Sequence, residues 1–488
     1  MMRKAYAAVD LGNSSGRVMH GHITDGRIDV AEIHRFPNAP VRQPDGWHWI
    51  TSRLMHEVLH GGLRKISALG NLDGIAVDTW GVDYGRLDQS GQMNDHPFSY
   101  RDERTQPMVA VAESRMQSEQ LYELTGCQST PINTMYQLLA DQQAGLLLDA
   151  SRFLLMPDLF AYWLTGGQIG ADETIASTTQ LFDPRARDWC WEAIDAMGLP
   201  RQLFAPVRRT GTIIGSIHEP IARDFGLNAG IPVITAAGHD TAAAFVAATG
   251  GEDQLVISIG TWSLVGVELT EPLITEAGRE ANFTNELGVL GTIRFLRNAA
   301  GLWIIQECLR EWQGRGDEIG WEDLIELAER STAFASLFNP DDRRFMEPGP
   351  MADRVMDAGD EPLDGSHGPI VRSVLESLSM NHRWLLETVE RVIGRSLNRI
   401  RIVGGGSQNW LLCQMTADLT GREVVAGPAE AASIGNIAMQ AIATGQIADQ
   451  ATARDLIDRS FPARTYEPNP DHKMWDAEYE RWRALANR

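Results

Sequence analysis

Small polar residues follow an aspartate in AVDLGNSSGRV, residues 8–18, where one apolar run ends and a second begins. A glycine-rich turn with hydroxyl and amide side chains presents backbone N–H groups that suit phosphate oxygens. The carboxylate of Asp10 could hold Mg²⁺ beside such a turn, directly or through water. The alternative is an ordinary tight hairpin in which Asp10 and Asn13 satisfy the turn. This segment alone leaves both interpretations open.

Two later glycine turns could also bind phosphate: SIGTWS at residues 258–263 and IVGGGSQN at 402–409. The first repeats the opening turn without its carboxylate, so a phosphate chain could lie between two such hairpins. In the second, glycines permit close approach of a ligand and a helix N-terminus adds a positive dipole end. A turn without a ligand is the alternative for each. The chain has neither a Walker A sequence nor G-x-G-x-x-G, which excludes the P-loop and Rossmann interpretations.

A single aspartate interrupts the small apolar residues of AAGHDTAAA, residues 236–244. Placing a carboxylate near a core is costly unless it has a partner or a chemical task. Asp240 could accept a proton from a substrate hydroxyl. Alternatively, it could cap a helix that begins at Thr241.

Two segments have the composition of a polyol-binding site: DTWGVDYG at residues 78–85 and RNAAGLW at 297–303. In the first, Gly81 and Asp83 follow a predicted strand, and in the second, Asn298 ends one. Sugars require neutral hydrogen-bond partners and aromatic surfaces, and Trp80, Trp262 and Trp303 are close in sequence to these loops. Most tryptophans in proteins are simply core residues.

The pattern of elements indicates how these segments are positioned. Two hairpins, a helix with Leu54 and Val58 on its apolar face, and a further strand predict a mixed sheet covered by helices. The match of VDLGNSS to ISIGTWS suggests that the chain contains two domains of related topology. The pair Gly250-Gly251 is the predicted boundary, which divides the chain into residues 1–249 and 250–488.

Composition limits the possible partners and location. The chain of 488 residues has a formal net charge of −22 and no basic block, so nucleic acid and an anionic membrane surface are not expected partners. Its four cysteines lack metal or redox spacing, and we expect no disulfide and a cytoplasmic location. The longest apolar stretch contains Pro157 and Asp158 and is too short to span a bilayer.

The segments taken together resemble the FGGY family of carbohydrate kinases. The resemblance is carried by sequence segments spread over almost the whole chain: AVDLGNSSGRV, DTWGVDYGRLD, YRDERT, INTMYQL, LMPDLFAYWLTG, GHDTAAA, GTWSL, NFTNE, GLWIIQE, NPDDRRF and VGGGSQN. It implies an α/β fold of two actin-like ATPase domains of the ribonuclease-H-like type, with mixed sheets flanked by helices and an interdomain cleft. Within the family, the segments most resemble those of members that use ATP and Mg²⁺ to phosphorylate the 1-hydroxyl of L-rhamnulose, so the resemblance implies this reaction.

The resemblance also assigns roles to individual positions. It implies Asp240 as catalytic base and Asp10 as the residue that positions Mg²⁺. The implied ATP contacts are Asn13, Ser14, Ser15, Gly16, Arg17, Thr261, Gln306 and Gly405. The implied substrate contacts are Gly81, His239, Asp240, Thr241 and Asn298. Some members have a cysteine at the position of Ser407 and further cysteines that could form disulfides, which this chain lacks.

Rival functions share parts of this pattern. Another kinase of the same family, acting on L-fuculose, xylulose, ribulose or a related polyol, would keep the ATP loops and the base. An actin- or chaperone-like ATPase would instead couple its nucleotide state to a protein partner, but it needs no Asp240 and no polyol-type loops. A sugar sensor without activity would not need both Asp10 and Asp240. The expected assembly is a monomer or a small homo-oligomer.

Overall fold

A computed structural model describes residues 4–24, 26–93, 95–469 and 473–486. Its strands are, in chain order, β1 (Lys4–Leu11), β2 (Ser15–Thr24), β3 (Arg27–Pro37), β4 (Val41–Gln43), β5 (Gly46–His48), β6 (Gly74–Thr79), β7 (Tyr84–Leu87), β8 (Arg152–Leu155), β9 (Ala171–Asp172), β10 (Phe182–Asp183), β11 (Asp188–Trp189), β12 (Val207–Arg208), β13 (Thr212–Ser216), β14 (Pro232–Thr235), β15 (Gln254–Ile259), β16 (Trp262–Leu269), β17 (Thr284–Leu287), β18 (Ile293–Ala300), β19 (Arg399–Val403), β20 (Glu423–Ala426) and β21 (Arg464–Tyr466).

The helices are, in the same order, α1 (Thr51–His56), α2 (Arg64–Ser67), α3 (Met108–Arg115), α4 (Ser118–Thr125), α5 (Thr134–Gln143), α6 (Met156–Thr165), α7 (Glu173–Ala176), α8 (Trp191–Ala196), α9 (Glu219–Phe225), α10 (Asp240–Ala247), α11 (Glu276–Glu280), α12 (Trp303–Arg315), α13 (Trp321–Arg330), α14 (Met351–Ala358), α15 (His367–Ile393), α16 (Trp410–Thr420), α17 (Ala431–Ala443), α18 (Gln450–Ser460) and α19 (Lys473–Ala486). A π-helical stretch, Glu57–Leu63, joins α1 to α2. Leu54 and Val58 are buried on this helix, as the apolar pattern predicts.

The first compact unit comprises Met1–Thr249, Glu268–Leu296 and Ala431–Phe461. Its main sheet has the order β13-β14-β6-β1-β2-β3. Strand β1 is antiparallel to β2 and parallel to β6, and β6 is in turn parallel to β14. Because the carboxyl ends of parallel strands meet at the same edge, the turns after β1, β6 and β14 lie together.

This unit is not one continuous segment of the chain. It contains residues up to Thr249, and two later segments of the chain pack with them. Helix α17 lies against β1 and β6, where Gln440 Nε2 donates to the carbonyl oxygen of Ala7 at 3.0 Å. The small residues of this helix allow that close approach, and a linear division of the sequence could not foresee it.

The second unit comprises Gly250–Val267, Arg297–Glu430 and Pro462–Arg488. Its strands follow the order β18-β16-β15-β19-β20-β21. The hairpin β15–β16 is antiparallel, β15 is parallel to β19, and β19 is parallel to β20. In both units the first strand of the sheet, β1 or β15, lies between its hairpin partner and a parallel strand, so the predicted repeat of the topology holds for this part of the sheet. The edges differ, because β13 precedes β14 in the chain whereas β21 follows β20.

All four cysteines, Cys127, Cys190, Cys308 and Cys413, are buried and free. Across the residues that the structure describes, every helix is too short or too polar to cross a membrane.

Replacement of Gly435 on α17 should destabilise the first unit. A Cβ there would overlap the carbonyl oxygen of Ala243 on α10, so the two helices would have to separate. We expect Gly435→Ala to cost about 1–3 kcal/mol of unfolding free energy through overpacking, partly offset by better helix propensity. Thermal unfolding of the purified chain measures the change.

Gly314 on α12 is the matched control, because a Cβ there would meet open space. Gly314→Ala should leave the melting temperature unchanged or raise it. An equal response of the two variants would contradict the close packing of α10 on α17.

Candidate functional site

Asp10 lies near the carboxyl end of β1, opposite Arg17 on β2 and Asp78 on β6. Its side chain is buried. Oδ2 accepts hydrogen bonds from Arg17 Nε at 3.0 Å and from Ser433 Oγ at 2.8 Å. A neighbouring cation and a hydroxyl therefore hold this carboxylate in place.

The turn after Asp10 is closed by a hydrogen bond from the Gly12 amide to the Ser15 carbonyl oxygen at 3.0 Å. Asn38, which the sequence did not indicate, donates its side-chain amide to Gly12 O at 2.7 Å and its backbone amide to Ser14 O at 3.1 Å. Asn13 donates to the Tyr100 hydroxyl at 2.7 Å. The predicted phosphate-binding segment is thus supported from both sides.

Gly16 has a packing reason beside any role in binding ATP. It pairs with Leu11 across the hairpin, and a Cβ on Gly16 would overlap the ring of Phe36 on β3. The absent side chain lets β3 close over the hairpin.

Asp78 occupies the position on β6 next to Asp10 and is fully buried. Its Oδ2 accepts from Asn436 Nδ2 at 2.6 Å, whereas Oδ1 has no hydrogen-bond partner among the described residues. Burial raises the pKa of Asp78 well above its ordinary value, and the charges of Asp10 and Asp240 raise it further. A buried, half-satisfied carboxylate therefore lies beside Asp10.

The turn between β14 and α10 brings His239 and Asp240 to the same edge. Asp240 is the first residue of α10, and His239 occupies the capping position, so Asp240 is not the helix cap. The Asp240 side chain is 29% exposed, and its Oδ1 accepts from Thr241 Oγ1 at 3.1 Å. Burial raises the pKa of Asp240, nearby His239 opposes that shift, and Asp10 adds to it.

Gly81 lies against this turn. His239 pairs with Thr79 at the end of β6, and a Cβ on Gly81 would come within 3.4 Å of His239 Nε2. The structure therefore brings together four of the predicted substrate residues, since Thr241 follows Asp240 directly. Any side chain at position 81 would fill the space in front of the imidazole.

Two residues of the hairpin β17–β18 extend this site, although the sequence pattern did not single them out. Glu286 Oε2 lies 3.4 Å from His239 Nδ1 and 3.0 Å from Arg294 Nη2. Arg294 is fully buried, and its positive charge lowers the pKa of Glu286 against the effect of burial. A buried ion pair thus supports the far side of the imidazole. Glu286 lies within the segment NFTNE, which indicated the family of the chain but did not indicate a role for this residue.

Asp83 stabilises the loop that carries Gly81. Its buried carboxylate accepts from the indole N–H groups of Trp49 at 2.6 Å and Trp80 at 2.9 Å, and from Gln137 Nε2 at 2.9 Å. Burial raises the pKa of Asp83 to about 6 even though these donors favour the ionised form. Of the three tryptophans predicted to be either core or sugar-binding residues, Trp80 is buried and hydrogen-bonded here.

Val82, between Gly81 and Asp83, has a φ of 69°, a conformation that is costly for a β-branched residue. Thr134 Oγ1 donates to the Val82 carbonyl oxygen at 2.6 Å and holds the loop in this conformation.

The other residues predicted to bind the nucleotide lie in the second unit. The Gly260 amide donates to Trp262 O at 2.8 Å and closes the turn, and the Trp303 amide at the start of α12 donates to Thr261 O at 3.2 Å. Gln306 lies one turn further along α12, and its buried side-chain oxygen has no partner among the described residues. Thr261 thus contacts the start of α12, the helix that carries Gln306.

The glycine triplet follows β19, the strand parallel to β15. A Cβ on Gly406 would overlap the side chain of Ile259, whereas Gly405 faces open space. The triplet passes the end of β15 closely and leaves the backbone of Gly405 accessible. Asn298, a predicted substrate residue, lies on β18.

Comparisons with known proteins agree with this architecture. Residues 5–247 match the N-terminal domain of the FGGY family of carbohydrate kinases, and residues 255–444 match its C-terminal domain. This chain belongs to the FGGY family of carbohydrate kinases. The predicted family and its two-domain α/β fold are therefore confirmed.

Individual proteins that are 38–40% identical to this chain give a more specific comparison than the family as a whole. The rhamnulokinase of Enterococcus faecalis is 40% identical over 478 residues, which cover 96% of this chain and 95% of that protein. The rhamnulokinase of Bacteroides thetaiotaomicron is 38% identical over 486 residues, 98% of each chain. A crystal structure of gluconate kinase from Lactobacillus acidophilus superposes with a TM-score of 0.82 at 15% identity over 99% of this chain and 98% of that one. The last likeness concerns the fold alone.

Asp83→Asn should destabilise this FGGY kinase. An amide in place of the carboxylate must turn an N–H group toward one of the donors that now point at Asp83. We expect a loss of about 2–3 kcal/mol in unfolding free energy, as for a buried donor left unsatisfied. Urea denaturation followed by tryptophan fluorescence measures it.

Asp29→Asn is the control, since Asp29 is exposed on β3. It should stay within about 0.5 kcal/mol of the parent. Equal stability of Asp83→Asn and the parent would show that Asp83 does not support the loop.

Proposed function

We propose that this kinase transfers the γ-phosphoryl group of ATP to the 1-hydroxyl of L-rhamnulose, forming L-rhamnulose 1-phosphate in L-rhamnose catabolism. The observation that carries the proposal is the identity of 38–40% to relatives named rhamnulokinase over nearly the whole chain. The second candidate is another sugar kinase, supported by the match of both domains to the FGGY family of carbohydrate kinases as a whole.

Asp240 is the proposed catalytic base. Its side chain is partly exposed and follows a buried strand, so it can reach a substrate hydroxyl and still be held by Thr241. In phosphoryl transfer the hydroxyl loses its proton late, and positioning of the nucleophile matters more than strong basicity. The remaining proposed sugar contacts are Gly81, His239 and Thr241, which the first unit brings together, and Asn298 on β18.

The proposed ATP contacts are Asn13, Ser14, Ser15, Gly16 and Arg17 in the first unit and Thr261, Gln306 and Gly405 in the second. The turns supply N–H donors for phosphate oxygens, and such preorganised donors stabilise the charge that develops during transfer. The unpartnered oxygen of Gln306 and the open backbone at Gly405 support contacts to the nucleotide.

The residues near Asp10 fit a magnesium ion that arrives with ATP. Mg²⁺ commonly binds through one or two carboxylates, with water and phosphate oxygens as its other ligands. Asp10 would hold it, and the neighbouring Asp78 Oδ1 lacks a hydrogen-bond partner among the described residues. Bound there, Mg²⁺ would neutralise phosphate charge.

A cytoplasmic location is part of the proposal. Four buried free thiols are typical of a protein kept in a reducing compartment.

A panel of sugars tests the substrate. Purified protein with MgATP should release ADP fastest with L-rhamnulose, and slower with L-fuculose, xylulose, ribulose and gluconate, in a coupled ADP assay. A higher kcat/KM with another acceptor would assign that sugar instead. ADP release without any sugar, at an equal rate, would favour the ATPase interpretation.

Substitution of Asp240 tests the base. We expect Asp240→Asn to lower kcat by roughly 10²–10⁴-fold, the usual contribution of a general base, with the KM for ATP largely kept. The exposed Asp353→Asn is the control and should behave as the parent. Near-normal turnover of Asp240→Asn would remove the residue from this role.

The pH dependence of the parent follows from the same residue. The ordinary pKa of an aspartate is about 4, and burial raises the pKa of Asp240 above it. The kcat/KM for the sugar should therefore fall as the pH drops through this raised pKa. The loss reflects protonation of the base, so this acid limb should be absent from the residual activity of Asp240→Asn. An acid limb that persists in the variant would assign it to another group.

A further inference from the structure

We propose that Arg294 is a positioning residue that fixes the proton of neutral His239 on Nε2. His239 can then only donate a hydrogen bond toward the substrate, and the substrate proton passes to Asp240 alone. This inference rests on the proposed function for its kinetic consequence, but the position of the proton is a property of the sugar-free protein.

The contacts around the imidazole define its orientation. The His239 backbone amide donates to Thr174 Oγ1 at 3.1 Å, so the main chain is held. On the inner side of the ring, Arg294 Nη2 lies 3.1 Å from Nδ1. On the outer side, Nε2 lies 3.6 Å from Asp240 Oδ1 and faces the position of Gly81. One ring nitrogen therefore meets buried protein and the other meets the predicted substrate residues.

The chemistry of the guanidinium decides the tautomer. Arginine has five N–H donors, no acceptor, and stays charged in proteins. A hydrogen bond from Arg294 Nη2 requires a lone pair on His239 Nδ1, so the proton of the neutral ring must be on Nε2. Arg294 is fully buried on β18, and its Nε donates to Leu287 O at 3.2 Å, which fixes the direction of the fork.

Glu286 is the competitor for the same ring nitrogen. Its Oε2 lies 3.4 Å from Nδ1 and would favour a proton there, but it lies closer, 3.0 Å, to Arg294 Nη2. The carboxylate is thus ion-paired with Arg294 and neutralises it in the core, although Oε2 accepts no hydrogen bond among the described residues. The contact that meets hydrogen-bond geometry at Nδ1 is the one from Arg294 Nη2. The charged groups acting on His239 and Arg294 are Asp240 on α10, Glu286 on β17 and, at the end of β9, Asp172.

The assignment separates the roles of two adjacent residues. With its proton on Nε2 and its Nδ1 occupied, His239 cannot accept a proton from a sugar hydroxyl. It can donate to a sugar oxygen and orient it toward Asp240. The pair His239-Asp240 therefore supplies one donor and one acceptor at adjacent positions.

The protonation state can be read directly by ¹⁵N NMR of protein labelled at its 12 histidines, with the His239 signals assigned by their loss in His239→Gln. At pH 8 and without ligands, we expect a proton-bearing shift at Nε2 and an unprotonated shift at Nδ1. A proton on Nδ1, or on both nitrogens, would overturn the proposal. This readout needs no enzymatic activity, so it stands apart from the sugar panel.

A double variant tests whether Arg294 is the cause. Arg294→Met with Glu286→Gln removes the ion pair as a unit and avoids a lone buried charge. The folded variant should show a mixture of His239 tautomers and a KM for the sugar raised about 10-fold, the equivalent of one hydrogen bond, with the KM for ATP within about 2-fold. Arg372→Met with Glu376→Gln, a buried pair on α15, is the matched control and should leave both readouts unchanged.

An unchanged tautomer in the folded Arg294→Met/Glu286→Gln variant would show that Arg294 does not set it. If that variant does not fold, the spectrum of the parent still decides where the proton is. If L-rhamnulose is not the preferred sugar but His239 carries its proton on Nε2, the proposed substrate is wrong and the positioning role of Arg294 is retained.

Discussion

The crowding of three carboxylates at one edge of a parallel sheet, two of them buried and one partly exposed, is the constraint on which the rest of the site depends. Asp10 and Asp78 end neighbouring strands β1 and β6, and Asp240 begins the helix that follows β14. Burial raises the pKa of Asp78 and of Asp240, and the charge of Asp10 raises both further. Such an arrangement persists only if the surrounding structure supplies donors and leaves room for cations or polar ligands.

The chain supplies those donors from distant parts of its sequence. Arg17 and Ser433 donate to Asp10, and Asn436 donates to Asp78, so helix α17 is needed to satisfy both strands. This explains why residues 431–461 pack with the first unit although they come late in the chain. The hairpin β17–β18 likewise supplies partners for His239, namely Glu286 and Arg294. Helix α17 and this hairpin therefore both bring polar side chains to the sheet edge where the carboxylates lie.

Local sequence patterns predicted many strands and turns of this structure. They did not predict the contacts that depend on packing between distant segments of the chain. The hairpins around Gly12 and Gly260, the strand before Gly81 and the turn before Asp240 could be predicted because turn residues and apolar runs are local signals. Glu286 and Arg294 lie in strands with ordinary composition, and Ser433 and Asn436 lie in a small-residue helix whose pattern is explained by packing. Arg294 is 55 positions from His239, Ser433 is 423 positions from Asp10 and Asn436 is 358 positions from Asp78, so only the folded topology reveals these partners.

The most direct test of this carboxylate arrangement is a ¹³C NMR titration of labelled aspartate side chains in the parent and in Asp10→Asn, with signals assigned from single substitutions. In the parent, the carboxyl carbons of Asp78 and Asp240 should titrate above the ordinary aspartate range, and removal of the Asp10 charge should lower both midpoints. Midpoints near 4 in the parent, or midpoints that do not respond to Asp10→Asn, would contradict the coupling of the three groups.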